Sequence, residues 1–110
     1  MRLPNAERAF IDPAKVRDYL LSNAHPVGRF KAAFFVSLGY TQGEWEKLRD
    51  DFFAIARSGD AVPVQETSFG RKFGVDGMLT GPLGRSAEIQ TIWIVANDEA
   101  APRFVTAYPR

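Results

Sequence analysis

The only histidine in the chain, His25, stands in the stretch NAHPVGRFKAAFF (residues 23–35), with Arg29 and Lys31 just beyond it and no Asp or Glu anywhere from Tyr19 to Gly43. An unperturbed imidazole titrates near neutrality, so a histidine can take a proton and return it. His25 directly precedes Pro26, at a helix start, where free backbone N–H groups attract anions. The plainer reading of that position is a solvent-exposed cap residue. Lys31 falls in a stripe with Phe30, Phe34 and Phe35, from which its long side chain can simply extend to water. Arg29 reads as surface charge by the same reasoning.

A second group of chemically useful side chains lies near the C-terminus. VTAYP sets Thr106 and Tyr108 two residues apart, hence on one face of a strand, and Thr91 can join them from a neighbouring strand. A cross-strand threonine pair beside a half-buried tyrosine would give the same pattern. GRKFG and GPLGR deliver Arg71, Lys72 and Arg85 at glycine-rich turns, a setting that can hold phosphate, although neither matches a phosphate-loop or dinucleotide fingerprint. One histidine, no cysteine and no clustered carboxylates on a strand or loop predict no metal site. A Ser-His-Asp triad would need a nucleophile elbow, which is missing, and no motif calls for a cofactor.

The elements that must position these groups can be read from periodicity. Asp12-Pro13 is a helix cap followed by proline at the first helical position, with Val16, Tyr19 and Leu20 as the apolar stripe. Pro26 opens a second helix, with Phe30, Phe34 and Leu38 recurring every fourth residue and Gly39 closing it. Thr41 and Glu44 form a T-x-x-E capping box, with Tyr40 and Trp45 at staple spacing around it. That box starts a third helix, buried through Trp45, Leu48, Phe52 and Ile55 and ended by Gly59. The three helices are expected over residues 13–22, 26–38 and 42–58.

Beyond Gly59 the period changes to two. KFGVDGML puts Phe73, Val75 and Leu79 on one side, GPLGR is a turn, and SAEIQTIWIVA alternates Ile89, Thr91, Trp93 and Val95 against Glu88, Gln90, Ile92 and Ile94. RFVTAY is the last strand, and AVPVQETS reads as an edge strand because it contains Pro63. Short connections predict antiparallel pairing. The expected fold is a single α+β domain over residues 1–110: three N-terminal helices packed on one face of a three- to four-stranded antiparallel sheet, with residues 89–95 central.

Composition bounds the function. With 110 residues the chain builds one core, and 45% hydrophobic and 25% charged residues are values of a soluble globular protein. The lack of cysteine fits a reducing compartment. No apolar run reaches the roughly 18 residues of a membrane span, and MRLPNAERAF has no signal-peptide pattern, so a cytoplasmic protein without membrane contact is expected. A net charge of +1 argues against non-specific coating of nucleic acid. It still leaves room for a local basic cleft, because the acid-free stretch is followed by Glu44, Glu46, Asp50, Asp51 and Asp60.

LPNAE, DYLL, HPVGRFKAAFF, GPLGR, TIWI and VTAYP together make the chain resemble a small bacterial family with the pattern LPNAE…DYLL…HPxGxxKAxFF…GPxGR…VTAYP. The resemblance runs over nearly the whole length. The order of helices followed by strands, ending in a T-x-Y-P-like segment, also resembles the barnase–EndoU–colicin–RelE ribonuclease fold. These resemblances imply a metal-independent endoribonuclease of the toxin type that acts on RNA. His25 would be the general acid or base, and Lys31 would stabilise the pentacoordinate phosphate. Thr106 and Tyr108 would be their catalytic companions, and Arg29, Arg71, Lys72, Arg85 and Thr91 would hold substrate. With a single histidine, Tyr108 or a lysine must be the second proton-transfer group. The implied partners are RNA and a small inhibitor or immunity protein. The competing expectation is a non-catalytic binding or regulatory domain, such as the neutralising member of a toxin–immunity pair. In that case His25 would be a cap and VTAYP a structural strand.

Overall fold

The computed structural model describes residues 1–26 and 29–110, and at Phe30 the backbone alone. Helix α1 comprises Pro13–Lys15 and runs directly into a π-helical turn, Val16–Leu20. Asp12 caps it as expected, its Oδ1 accepting from the Ala14 N–H at 3.0 Å. The turn closes through Leu21 N–H to the Val16 carbonyl, so the helix ends earlier than residue 22. Helix α2 is Arg29–Ser37. Its expected opening at Pro26 involves Val27 and Gly28, which, like the side chain of Phe30, lie outside the described residues. Thr41 starts the next helical segment by accepting from the Glu44 N–H at 3.2 Å, followed by a 3₁₀ turn at Gln42–Glu44 and helix α3, Trp45–Ser58. Gly59 ends α3.

Four strands follow: β1 (Ala61–Glu66), β2 (Gly70–Thr80), β3 (Ser86–Ala96) and β4 (Arg103–Pro109). They form one antiparallel sheet in the order β1-β2-β3-β4, so β3 is central and the strand containing Pro63 is an edge. The chain is therefore α+β, with its helices ahead of a four-stranded antiparallel sheet. Among the described residues no helix is long and apolar enough to cross a membrane.

The register assigns the two faces of the sheet. Phe73, Val75 and Leu79 of β2 join Ile89, Thr91 and Trp93 of β3 in the core, all at most 1% exposed. Val16, Leu20, Phe35, Leu48 and Phe52 meet them from the helical half. The Phe52 ring stacks on Phe104 at 5.0 Å, while Phe35 and Trp93 approach this pair edge-on.

Strand β4 contains the feature that matters most for the site. Trp93 pairs with Phe104 but Ile92 pairs with Thr106, so Val105 is an extra residue, a β-bulge. Strict alternation would put Phe104, Thr106 and Tyr108 on one face. The bulge lets Phe104 and Ala107 both enter the core and turns Thr106 and Tyr108 to the opposite side.

The N-terminal segment clasps both edges of the sheet. The Met1 carbonyl accepts from Ala61 N–H of β1 at 2.6 Å. Further on, Phe10 makes a parallel bridge to β4, with Phe10 N–H to Pro102 O and Phe104 N–H to Phe10 O, both 2.9 Å. Between them Leu3 and Ala6 are buried, and Ile11 follows them into the core.

Candidate active site

The acid-free segment and the end of the chain meet along the β4 edge. Lys31, in the first turns of α2, is half-buried, and its Nζ donates to Thr106 Oγ1 at 2.9 Å and to the Tyr19 hydroxyl at 3.4 Å. The same ammonium lies 5.7 Å from the Tyr108 ring centroid and 5.5 Å from that of Tyr19. Both rings attract the cation through their negative faces. An ammonium has three N–H groups. Thr106 and Tyr19 are its hydrogen-bond partners among the described residues.

His25 reaches the same place through Tyr19. Its ring meets the tyrosine edge-to-face at 4.9 Å with an interplanar angle of 87°. Tyr19 thus touches both His25 and Lys31. It sits in the π turn, a form that recurs at functional sites because the wider turn re-aims the side chains it carries. Together Lys15, Tyr19, His25, Lys31, Val105 and Thr106 line an open cleft of about 450 Å³. Among the described residues its ionisable lining is histidine, lysine and tyrosine, with no carboxylate.

Tyr108 is held from behind. Its hydroxyl donates to Gln90 Oε1 at 2.5 Å, Gln90 Nε2 donates to Asp76 Oδ1 at 3.0 Å, and Asp76 pairs with Arg110 at 3.1 Å. This chain of contacts crosses the outer face of the sheet from β4 through β3 to β2 and fixes the ring beside Lys31.

The remaining sequence candidates lie elsewhere. Thr91 was expected to share a face with Thr106 and Tyr108, but it pairs with Ala107 and is fully buried on the core side. Its hydroxyl donates to the Val75 carbonyl at 2.9 Å and accepts from Trp93 Nε1 at 2.8 Å. The physical reason is the strand period: Thr91 follows Ile89 and precedes Trp93 in an inward series, and the β4 bulge sends Thr106 the other way. Arg71 packs over the Phe73 ring, with 5.6 Å to the centroid, and Lys72 is paired with Ile94. Arg85, in the β2–β3 turn, is directed to the Ser37 carbonyl at 3.5 Å. Neither these three nor Arg29, which is exposed in the first turn of α2, lines the cleft. Sequence reading missed Tyr19, Lys15 and Gln90. Tyr19 had a usable signal, as the first residue of the acid-free stretch, but its helical spacing with Val16 and Leu20 made it look like core.

The candidate site is thus a half-buried lysine clamped by a threonine and a tyrosine, with a histidine packed on the same tyrosine. The chain belongs to the family described as Domain of unknown function (DUF6883), which matches residues 2–110. Its fold is similar to a chain of the contact-dependent growth inhibition toxin–immunity protein complex from Klebsiella pneumoniae 342. The two share 24% sequence identity with a TM-score of 0.72, covering 91% of this chain and 98% of that one. No curated protein matches the sequence.

Proposed function

We propose that this protein is a metal-independent endoribonuclease of the toxin type. The observation that carries the reading is the clamp on Lys31, which holds an ammonium in a carboxylate-free cleft shared with the only histidine. The likeness to a chain from a toxin–immunity complex fits a member of such a pair, and the resemblance to the barnase–EndoU–colicin–RelE fold favours the toxin member. Cleavage of RNA by acid–base groups alone proceeds by attack of the ribose 2′-OH on the adjacent phosphorus. The bond to the 5′-oxygen breaks and a 2′,3′-cyclic phosphate forms. His25 takes the 2′-OH proton. Lys31 donates to a non-bridging oxygen, where charge grows in the transition state. Tyr108, turning its hydroxyl from Gln90, supplies the proton to the leaving 5′-oxygen. Arg29, Arg71, Lys72 and Arg85 would act on more distant phosphates of a long RNA. In this reading the substrate is met in the cytoplasm, and a small inhibitor or immunity protein would act by covering the cleft.

The test is RNA cleavage by purified protein in EDTA. Products should end in 2′,3′-cyclic phosphate, and His25→Ala and Lys31→Ala should each lower the rate about 10²-fold or more. Expression in growing cells, with and without His25, shows the same dependence as growth arrest with loss of RNA. If wild type and His25→Ala are equally inert in cells and leave the same trace activity on several RNAs, the catalytic reading is wrong and the domain is a binding module.

A further inference from the structure

The cleft does not end at Thr106. Lys15 and Val105, two of its lining residues, are also walls of a second cavity of about 240 Å³ further along β4. That cavity is formed in addition by Phe10, Asp12, Ile94, Arg103 and Phe104. The two share these walls along β4, and the halves of the groove they would make together differ in chemistry. The half with Lys31 and His25 contains no carboxylate. In the second half the cations are balanced, because Asp12 is part of the lining and Arg103 is ion-paired to Glu99 at 2.8 Å. A phosphate gains little there. What the second half offers is an aromatic ring beside a guanidinium: Phe10 is 48% exposed, and the Arg103 guanidinium lies 5.2 Å from its ring centroid.

An exposed aromatic ring, a planar guanidinium and a carboxylate acceptor in one pocket are the means by which proteins hold an unstacked base. Two residues, one of them the bulged Val105, separate Arg103 from Thr106, which pair with Ile94 and Ile92 two positions apart on β3. The span is about 7 Å at the usual rise, one a nucleotide can bridge. We infer that the groove is a single-stranded RNA site of two parts, in which the scissile phosphate lies on Lys31 and the base of an adjacent nucleotide stacks on Phe10 and Arg103. This rests on the ribonuclease reading and deepens it, since it makes the substrate an unpaired stretch rather than a duplex or a lone nucleotide. Phe10 is fit for such exposure because the backbone bridge to β4 fixes it while the residue stays about half exposed.

The experiment measures binding of a short single-stranded 2′-O-methyl oligonucleotide, which the 2′-blocked ribose keeps intact, containing 2-aminopurine as a stacking-sensitive base. Wild type should bind it and quench the 2-aminopurine fluorescence. Phe10→Ala should weaken binding roughly 5- to 100-fold, the loss of one stacked base, and abolish the quench. Phe10→Leu, which keeps the packing of the inner half of the side chain, should lose the quench as well while its circular dichroism and melting match wild type. Binding of inorganic tripolyphosphate should need Lys31 and ignore Phe10. If the oligonucleotide binds in a Lys31-dependent way but is indifferent to both Phe10 variants, the base subsite is wrong and the ribonuclease reading stands. If wild type binds no single-stranded oligonucleotide, both fail together.

Discussion

The same substitution at two threonines should have opposite effects. At position 91, Thr→Val preserves shape and removes a hydroxyl that is fully buried and used twice, by the Val75 carbonyl and by Trp93 Nε1–H. Trp93 is itself fully buried, so its N–H would have no route to water. An orphaned buried donor costs about 1–3 kcal/mol, and the lost bond to Val75 adds about 1. Valine's greater hydrophobicity returns part of this, leaving a net loss of about 2 kcal/mol. For a domain of this size that lowers the melting temperature by about 8 °C. Thr91→Ser is the control, keeping the hydroxyl and losing one methyl, worth about 1 kcal/mol. The expected order of stability is therefore wild type, then Ser, then Val, with the activity of the folded fraction unchanged in both. At position 106 the hydroxyl faces the cleft and serves Lys31. Thr106→Val should move stability by less than about 1 kcal/mol, since water can replace it, and lower RNA cleavage at least 10-fold by releasing the ammonium. Calorimetry and initial rates on the three variants decide. A Thr91→Val protein as stable as wild type, or one that folds normally and is inactive, would show that the hydroxyl has been put on the wrong side of the sheet.

Other consequences can be checked as simply. Tyr40 is buried, and its hydroxyl donates to Asp51 Oδ2 at 2.6 Å, so Tyr40→Phe should cost about 1–2 kcal/mol in urea unfolding. Burial first, and then the Asp51 carboxylate, push the Tyr40 phenol up from its ordinary value near 10. The folded state therefore keeps a proton that the unfolded chain releases. Wild type should lose stability as pH rises above about 10, and Tyr40→Phe should lose less across the same range. Gly81→Ala should destabilise by about 2 kcal/mol or more, because a Cβ there would run into the Leu38 carbonyl where the α2 end meets the β2–β3 turn. Gly43→Ala, with nothing within 4 Å of the added methyl, is the matched control and should be neutral or slightly stabilising.

Much of the scaffold was legible in the sequence because each element declares itself locally. The Asp12 and Thr41 caps, the glycine at position 59, the Pro63 edge and the alternation through Trp93 depend on neighbours only a few residues away, and all appear where those signals put them. The end of α1 was less legible, since neither the caps nor the apolar spacing around Val16–Leu20 marks a π turn. The site was half legible. Residue types singled out His25, Lys31, Thr106 and Tyr108, and the fold brings Lys31 to Thr106 and to the Tyr108 ring. Thr91 went astray because alternation alone cannot reveal a bulge at Val105, which decides the facing of everything after it. Tyr19 went unseen because a residue that packs its ring and offers its hydroxyl has the same spacing as one that only packs.

The clamp on Lys31 joins residues 75 positions apart, and the strap that begins at Met1 closes onto residues 102–104. Both fastenings wait for the final strand. A chain on the ribosome can form α3 and the β2–β3 hairpin from local contacts as they emerge, but its first ten residues have no complete partner until β4 is out. Emergence of β4 is thus the event that seats residues 1–10, covers the β4 edge next to Phe10 and completes the cleft. Shape and chemistry arrive together, and a fragment stopped before Arg103 has neither.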